Sequence, residues 1–174
     1  MADMFWAAIT ELGDPYYWIY FSMAIFFGYL FIRLVFKKRD ERMKRLLSVY
    51  APSMVVVFFI VLAIKMALPV PRPCIPCIEP WMSACNTHCL TDPSFPSGHT
   101  AAVFTAFTSL FLVFRDKRML IVFIVPALVA YSRVALGVHT FLDIVGGALI
   151  ACSITFLVWF LQKRSKHWIF REIC

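Results

Sequence analysis

Charge is what this chain has least of. Asp, Glu, Lys and Arg together make up 16% of its 174 residues, against 61% hydrophobic and 17% aromatic. That balance excludes an ordinary soluble globule and points to a protein immersed in lipid. No Lys or Arg occurs in residues 1–15, and Asp3 stands where a basic leader region would begin. A cleavable signal peptide is therefore not expected. Internal repeats, low-complexity tracts and domain linkers are missing as well. Residues 1–174 read as a single integral membrane domain.

What is present is a set of five apolar segments, at roughly 16–36, 46–64, 99–114, 119–136 and 142–161. Most approach the ~20 residues that a bilayer-spanning helix needs. Backbone groups in hydrocarbon must find partners within their own segment, so the segments read as helices. Pro126 lies inside the fourth and predicts a kink there. The opening stretch MADMFWAAITEL places Met4, Phe5, Ala8, Ile9 and Leu12 on one helical face, with Asp3 and Glu11 off it. This predicts a short interfacial helix over 1–13, ended by Gly13–Asp14–Pro15. The expected fold class is all-α, a polytopic membrane bundle of five to six helices.

The few charges carry the topology. Six Lys/Arg fall in 37–45, three in 115–118 and four from Lys163 to the end. The positive-inside rule makes these segments cytoplasmic and the N-terminus non-cytoplasmic. Five spans then place the C-terminus inside, where its basic tail belongs. The net charge of +7 is thereby a juxtamembrane signal with contact to membrane lipids, and no nucleic-acid partner is expected.

Three polar islands remain, all on the non-cytoplasmic side: KMALPVPRP (65–73), PSGH (96–99) and SRVALGVHTFLD (132–143). Ionisable groups at membrane depth are costly and mark function. Residues 99–114 would rise only about 24 Å, and 119–133 about 22 Å, against about 30 Å of hydrocarbon. That predicts a recessed pocket near headgroup depth. Lys65, Arg72 and Arg133 are three cations with no matching number of acids beside them, an arrangement that suits a phosphate. Ser97, Gly98 and His99 offer helix-start N–H groups to the same anion. His139 and Asp143, four residues apart, share a helical face, so the carboxylate can fix the imidazole tautomer and leave the other nitrogen to attack. His99 can protonate the leaving oxygen. The sum is a metal-free, cofactor-free phosphoryl transfer through a phosphohistidine. Each residue also has a plainer reading. Lys65 could snorkel, Arg133 and Asp143 could form a structural ion pair, and His139 could bond a carbonyl.

The pattern K-x6-RP, PSGH, SR-x5-H-x3-D resembles the type 2 phosphatidic acid phosphatase (PAP2) superfamily, and all three motifs match without departure from Lys65 to Asp143. The resemblance implies an antiparallel bundle of about six helices and no metal. It makes His139 the nucleophile, Asp143 its orienting partner and His99 the general acid. Lys65, Arg72, Ser97, Gly98 and Arg133 would hold the phosphate, while Pro73, Pro96 and Ser132 shape the motifs.

Cys74, Cys77, Cys85 and Cys89 crowd one non-cytoplasmic loop over 74–94. Two disulfides are expected, in any of three pairings, with free thiols or zinc (with His88) as the alternatives. A stapled lid over the pocket is the structural expectation. The functional expectation is hydrolysis of a lipid phosphate, a polyprenyl (undecaprenyl or dolichyl) diphosphate first. Phosphatidylglycerophosphate or phosphatidate hydrolysis, lipid phosphotransfer and silent lipid binding are the alternatives.

Overall fold

In a computed structural model, residues 2–14, 17, 20, 24, 27, 41–74, 89–115 and 117–164 are described here. Among them, all regular structure is helical. Helix α1 spans Ala2–Glu11, α2 Glu41–Ala67, α3 Gly98–Phe114, α4 Ile124–Ala135 and α5 Phe141–Arg164, with a 3₁₀ segment over Lys117–Phe123. Helices α2 and α5 are each long and apolar enough to cross a membrane, and α3 is a shorter apolar helix. The first expected span, 16–36, lies largely outside the described residues.

The fourth expected span differs from its reading. The chain is not one kinked helix over 119–136. A 3₁₀ segment feeds a helix that starts at Ile124, so Pro126 falls in the first turn of α4. The reason is local. Proline has no N–H to give, and first-turn N–H groups have no intrahelical acceptor in any case, so a helix loses least by beginning there.

Helices α2, α3 and α5 pack against one another, α4 lies on α3, and α1 lies on α4. At their centre Val57, Val61, Ala101 and Ala151 form a buried cluster, flanked by Phe104, Ile150 and Ile154. The central helix α3 buries small residues, including Thr100, Ala101, Ala102, Thr105, Ala106 and Ser109. Small side chains let helix backbones approach where lipid supplies no hydrophobic drive for association. Two of its buried hydroxyls are satisfied within the helix: Thr105 Oγ1 donates to Ala101 O at 2.8 Å and Ser109 Oγ to Thr105 O at 2.8 Å. Large apolar side chains on the outside of the bundle, such as Phe59, Leu149 and Leu157, are exposed, as a lipid-facing surface requires.

A close approach occurs where α5 meets the start of α3. A Cβ at Gly147 would sit 2.6 Å from Ser97 O, and one at Gly146 would sit 2.4 Å from the Phe95 ring. A methyl at 147 would meet backbone, which cannot step aside as a flexible side chain can. This glycine therefore sets how near His99 comes to the residues at the start of α5.

The helices alternate in direction. The end of α2, the start of α3, the end of α4 and the start of α5 gather at one end of the bundle. At the opposite end, Gln162 Nε2 of α5 donates to Ser48 O of α2 at 2.7 Å. The basic residues Arg42, Lys44, Arg45, Lys163 and Arg164 belong to that second end. Helices α3, of 17 residues, and α4, of 12, rise only about 25 Å and about 18 Å. Their site-bearing ends gather with those of α2 and α5.

Candidate active site

Seven of the eight site residues expected from sequence sit on or beside these four helix ends, and Arg72 joins them from the loop after α2. Lys65 is in the last turn of α2. Ser97 caps α3, its hydroxyl oxygen accepting from Thr100 N at 3.5 Å and from Thr100 Oγ1 at 3.1 Å. Serine at this position satisfies an N–H that the helix start would otherwise leave open. Gly98 and His99 open the helix behind it. Arg133 is in the last turn of α4, and Asp143 in the first turn of α5. Gly137, at φ +67, turns the chain between those helices and returns His139 to the site. The returned backbone is held by Val138 N and His139 N, which donate to Arg133 O at 3.1 and 3.2 Å.

The hydrogen bonds around His139 fix its tautomer. Arg72 NH1 lies 3.2 Å from His139 Nε2, and a guanidinium can only donate. Nε2 therefore carries the lone pair and Nδ1 the proton. Nδ1 lies 3.2 Å from Ser94 Oγ and 3.4 Å from Asp143 Oδ2. Ser94 Oγ in turn donates to Asp143 Oδ2 at 2.5 Å, and Thr140 N donates to the same oxygen at 2.7 Å. The carboxylate is thus held by a hydroxyl and a backbone amide while it faces the imidazole. His139 and Asp143 are nearly fully buried, at 3% and 2% exposure, and Ser94 is wholly buried. Burial first, and then the positive charges of Arg72 and Arg133, hold His139 well below the usual histidine pKa. The ring is neutral at physiological pH, with its electron pair on Nε2, where it accepts from Arg72 NH1.

The cations are not alone, which corrects the expectation of unmatched positive charge. Asp92 accepts from Lys65 Nζ through Oδ2 at 2.7 Å and from Arg72 NH2 through Oδ1 at 2.7 Å. Lys65 also donates to Pro93 O, and Arg72 to Asp92 O at 3.0 Å and Val138 O at 3.1 Å. Burial pushes the Asp92 carboxyl up, but its bonds to Lys65 and Arg72 outweigh this and its pKa lies below the usual value. The third cation is differently placed. Arg133, 3% exposed, does not pair with Asp143 but donates through NH1 to Thr10 Oγ1 of α1 at 2.7 Å, and its Nε has no partner among the described residues. A buried donor without an acceptor is uncommon and costly unless something arrives to use it.

Asp92, Ser94 and Thr10 were not singled out from sequence. Ser94 and Asp92 sit in the turn-rich approach to PSGH, where their polarity is visible but their partners, 20 to 49 residues away, are not. Thr10 is a lone hydroxyl in an apolar helix, and only the packing of α1 on α4 reveals its bond.

Lys65, Arg72, Asp92, His99 and His139 line one cavity of about 480 Å³, which continues between α2 and α3 along Val57, Phe58, Val61 and Leu62. Its lining is charged at one end and apolar along the other.

Cys74 and Cys89 form a disulfide. This bridge ties the segment that carries Arg72 to the segment that carries Asp92. Cys77, Cys85 and His88, and with them the expected second bridge, the zinc alternative and the lid, lie outside the described residues. Among the described residues no cluster of three His, Cys, Asp or Glu side chains suits a metal ion.

Comparison with known proteins places the chain in a family. Over 68 residues it is 47% identical to an undecaprenyl-diphosphatase of Sulfolobus acidocaldarius, covering 38% of this chain and 32% of that protein. Over 89 residues it is 33% identical to the putative undecaprenyl-diphosphatase YbjG of Escherichia coli, covering 47% of this chain and 45% of the relative. The chain thus spans less than half the length of either curated relative. Its fold resembles a transmembrane PAP2-type phosphatidylglycerolphosphate phosphatase from Bacillus subtilis, with a TM-score of 0.66 at 23% identity, over 95% of this chain and 79% of the other. It also resembles Aquifex aeolicus LpxE, with a TM-score of 0.56 at 26% identity, over 90% and 84%. The PAP2 superfamily profile matches residues 46–167, which hold all three motifs and the four helix ends of the site, and the chain belongs to that superfamily.

Proposed function

We propose that the chain hydrolyses a phosphorylated polyprenyl lipid, a polyprenyl diphosphate first, through a phosphohistidine on His139, and that it does so without a metal. The observation that carries this reading is the neutral His139 ring, whose Nε2 lone pair faces into a cation-lined cavity. A phosphoryl group entering there meets Lys65 and Arg72, with the N–H groups at the start of α3 behind them. Nε2 attacks phosphorus while the bond to the lipid-side oxygen breaks. His99, which takes up a proton as the phosphate anion settles beside it, gives that proton to the oxygen, and the lipid product leaves. His99 then takes a proton from water, whose oxygen displaces Nε2 and releases phosphate. Asp143, through Ser94 and Nδ1, balances the positive charge that grows on the ring. This is positioning and electrostatic stabilisation, the chief demand of phosphoryl transfer.

The apolar arm of the cavity, along Val57, Phe58, Val61 and Leu62, supports a substrate with a long hydrocarbon tail. Two curated relatives named as undecaprenyl-diphosphatases support the polyprenyl choice. On this reading the site opens to the non-cytoplasmic side. The basic helix ends at the far side of the bundle, and the C-terminus, are cytoplasmic. Helix α1 lies along the outer interface with Met4, Phe5 and Leu12, all exposed, turned to lipid.

The test is phosphate release from a panel of polyprenyl diphosphates, phosphatidate and phosphatidylglycerophosphate in one detergent, with and without EDTA. The expected result is the highest kcat/KM on a polyprenyl diphosphate, unchanged by chelation. Preference for a glycerophospholipid would reassign the substrate, and loss of activity in EDTA would contradict the metal-free chemistry.

A further inference from the structure

Asp92 belongs to none of the three motifs, yet it occupies their cations. Its two carboxylate oxygens lie 2.7 Å from Lys65 Nζ and 2.7 Å from Arg72 NH2. Two oxygens of a bound phosphate would take those same positions. Every nitrogen of Arg72 is engaged within the protein: Nε by Asp92 O, NH2 by Asp92 Oδ1, and NH1 by Val138 O and His139 Nε2. An arriving anion must therefore take donors away from Asp92. Asp92 can yield them, because its side chain is 44% exposed while those of Lys65 and Arg72 are 12% and 5% exposed. The released carboxylate turns to water while the cations stay in place.

We propose that Asp92 is a resident carboxylate that competes with phosphate for Lys65 and Arg72 and so clears the product. The proposal rests on the phosphatase reading above. The competition weakens every anion by a similar factor. A lipid phosphate offsets it with the contacts of its tail along Val57, Phe58, Val61 and Leu62. Inorganic phosphate has no tail, so its binding falls out of the useful range once the lipid product has left. Without the carboxylate, Lys65 and Arg72 would grip free phosphate and the site would stay filled. The Cys74–Cys89 bridge keeps this device in register, since Arg72 precedes one cysteine by two residues and Asp92 follows the other by three.

The experiment uses the full chain in detergent and inorganic phosphate as the probe. Phosphate affinity is measured by calorimetry and as a product-inhibition constant for the wild type, Asp92→Asn and Asp92→Glu. Asparagine keeps the shape and one acceptor oxygen but removes the charge. Its expected effect is phosphate binding about five- to tenfold tighter, with a lower kcat as release slows. Glutamate restores the charge and should return phosphate affinity towards that of the wild type. A residue that merely props Lys65 and Arg72 would do the opposite on substitution, since misplaced cations bind phosphate more weakly. Equal or weaker binding by Asp92→Asn, in a protein that still turns over a lipid phosphate, overturns the Asp92 proposal alone. Failure of all three proteins to bind phosphate or hydrolyse any phosphorylated lipid overturns the phosphatase reading and this proposal with it.

Discussion

Replacing His139 with alanine is expected to lower kcat/KM for phosphate release by about 10⁴-fold or more, with the helical fold retained. The size follows from the role. On the proposed mechanism the other groups around the cavity hold or protonate the substrate, and none of them offers a neutral nitrogen lone pair aligned by a carboxylate. Removing the ring leaves water to attack phosphorus directly, without a partner at the right place. Alanine also frees Arg72 NH1 from Nε2 while its bonds to Val138 O and Asp92 remain, so the guanidinium is not orphaned. Binding should therefore survive better than turnover. Steady-state kinetics beside a melting curve separates the two: the expected pattern is a collapsed kcat with a similar Tm. Turnover within tenfold of the wild type would remove His139 from the chemistry.

The second large loss is expected at Asp143. Substitution with asparagine keeps volume and one acceptor but removes the charge that faces Nδ1. Asp143 Oδ2 takes bonds from Ser94 Oγ and Thr140 N, both donors, so the neutral amide must turn its oxygen to them. Its NH2 group is left in a site where Asp143 is only 2% exposed. The ring then builds positive charge in the transition state with no anion beside it. A fall in kcat of about 10²- to 10⁴-fold is expected, by the logic of a histidine that loses its orienting carboxylate. KM should move little, because Asp143 bonds none of the three cations proposed to hold the phosphate. A rise in KM at unchanged kcat would assign Asp143 to binding instead.

Much of this site was legible before the fold was known, and the reason is that its motifs are local. His139 and Asp143 are one helical repeat apart, so their pairing needs only a period. Ser97 before an apolar run reads as a cap, and it caps α3. The gathering of distant motifs follows from alternating spans of one bundle, and the basic segments say which ends go together. What could not be read depends on tertiary contact. Asp92 is one of ten acids, and its hold on Lys65 and Arg72 appears only when the loop after α2 meets the approach to α3. Ser94 comes between His139 and Asp143 by the same meeting. Thr10 reaches Arg133 across 123 residues of chain. The 3₁₀ segment before α4 escaped because hydrophobicity marks a span but not where its hydrogen bonding changes, and Pro126 suits a first turn as well as a kink.

The central claim is that the phosphoryl group passes through His139 Nε2 on its way to water. It is tested most directly by mixing the enzyme with a terminally labelled polyprenyl diphosphate, quenching in alkali within a single turnover, and mapping the label on the protein by mass spectrometry. The account predicts an acid-labile, alkali-stable phosphoryl group on His139 that forms before free phosphate and is absent from His139→Ala. Phosphate appearing in the first turnover with no label on the protein at any time, or with label on a different side chain, would contradict it.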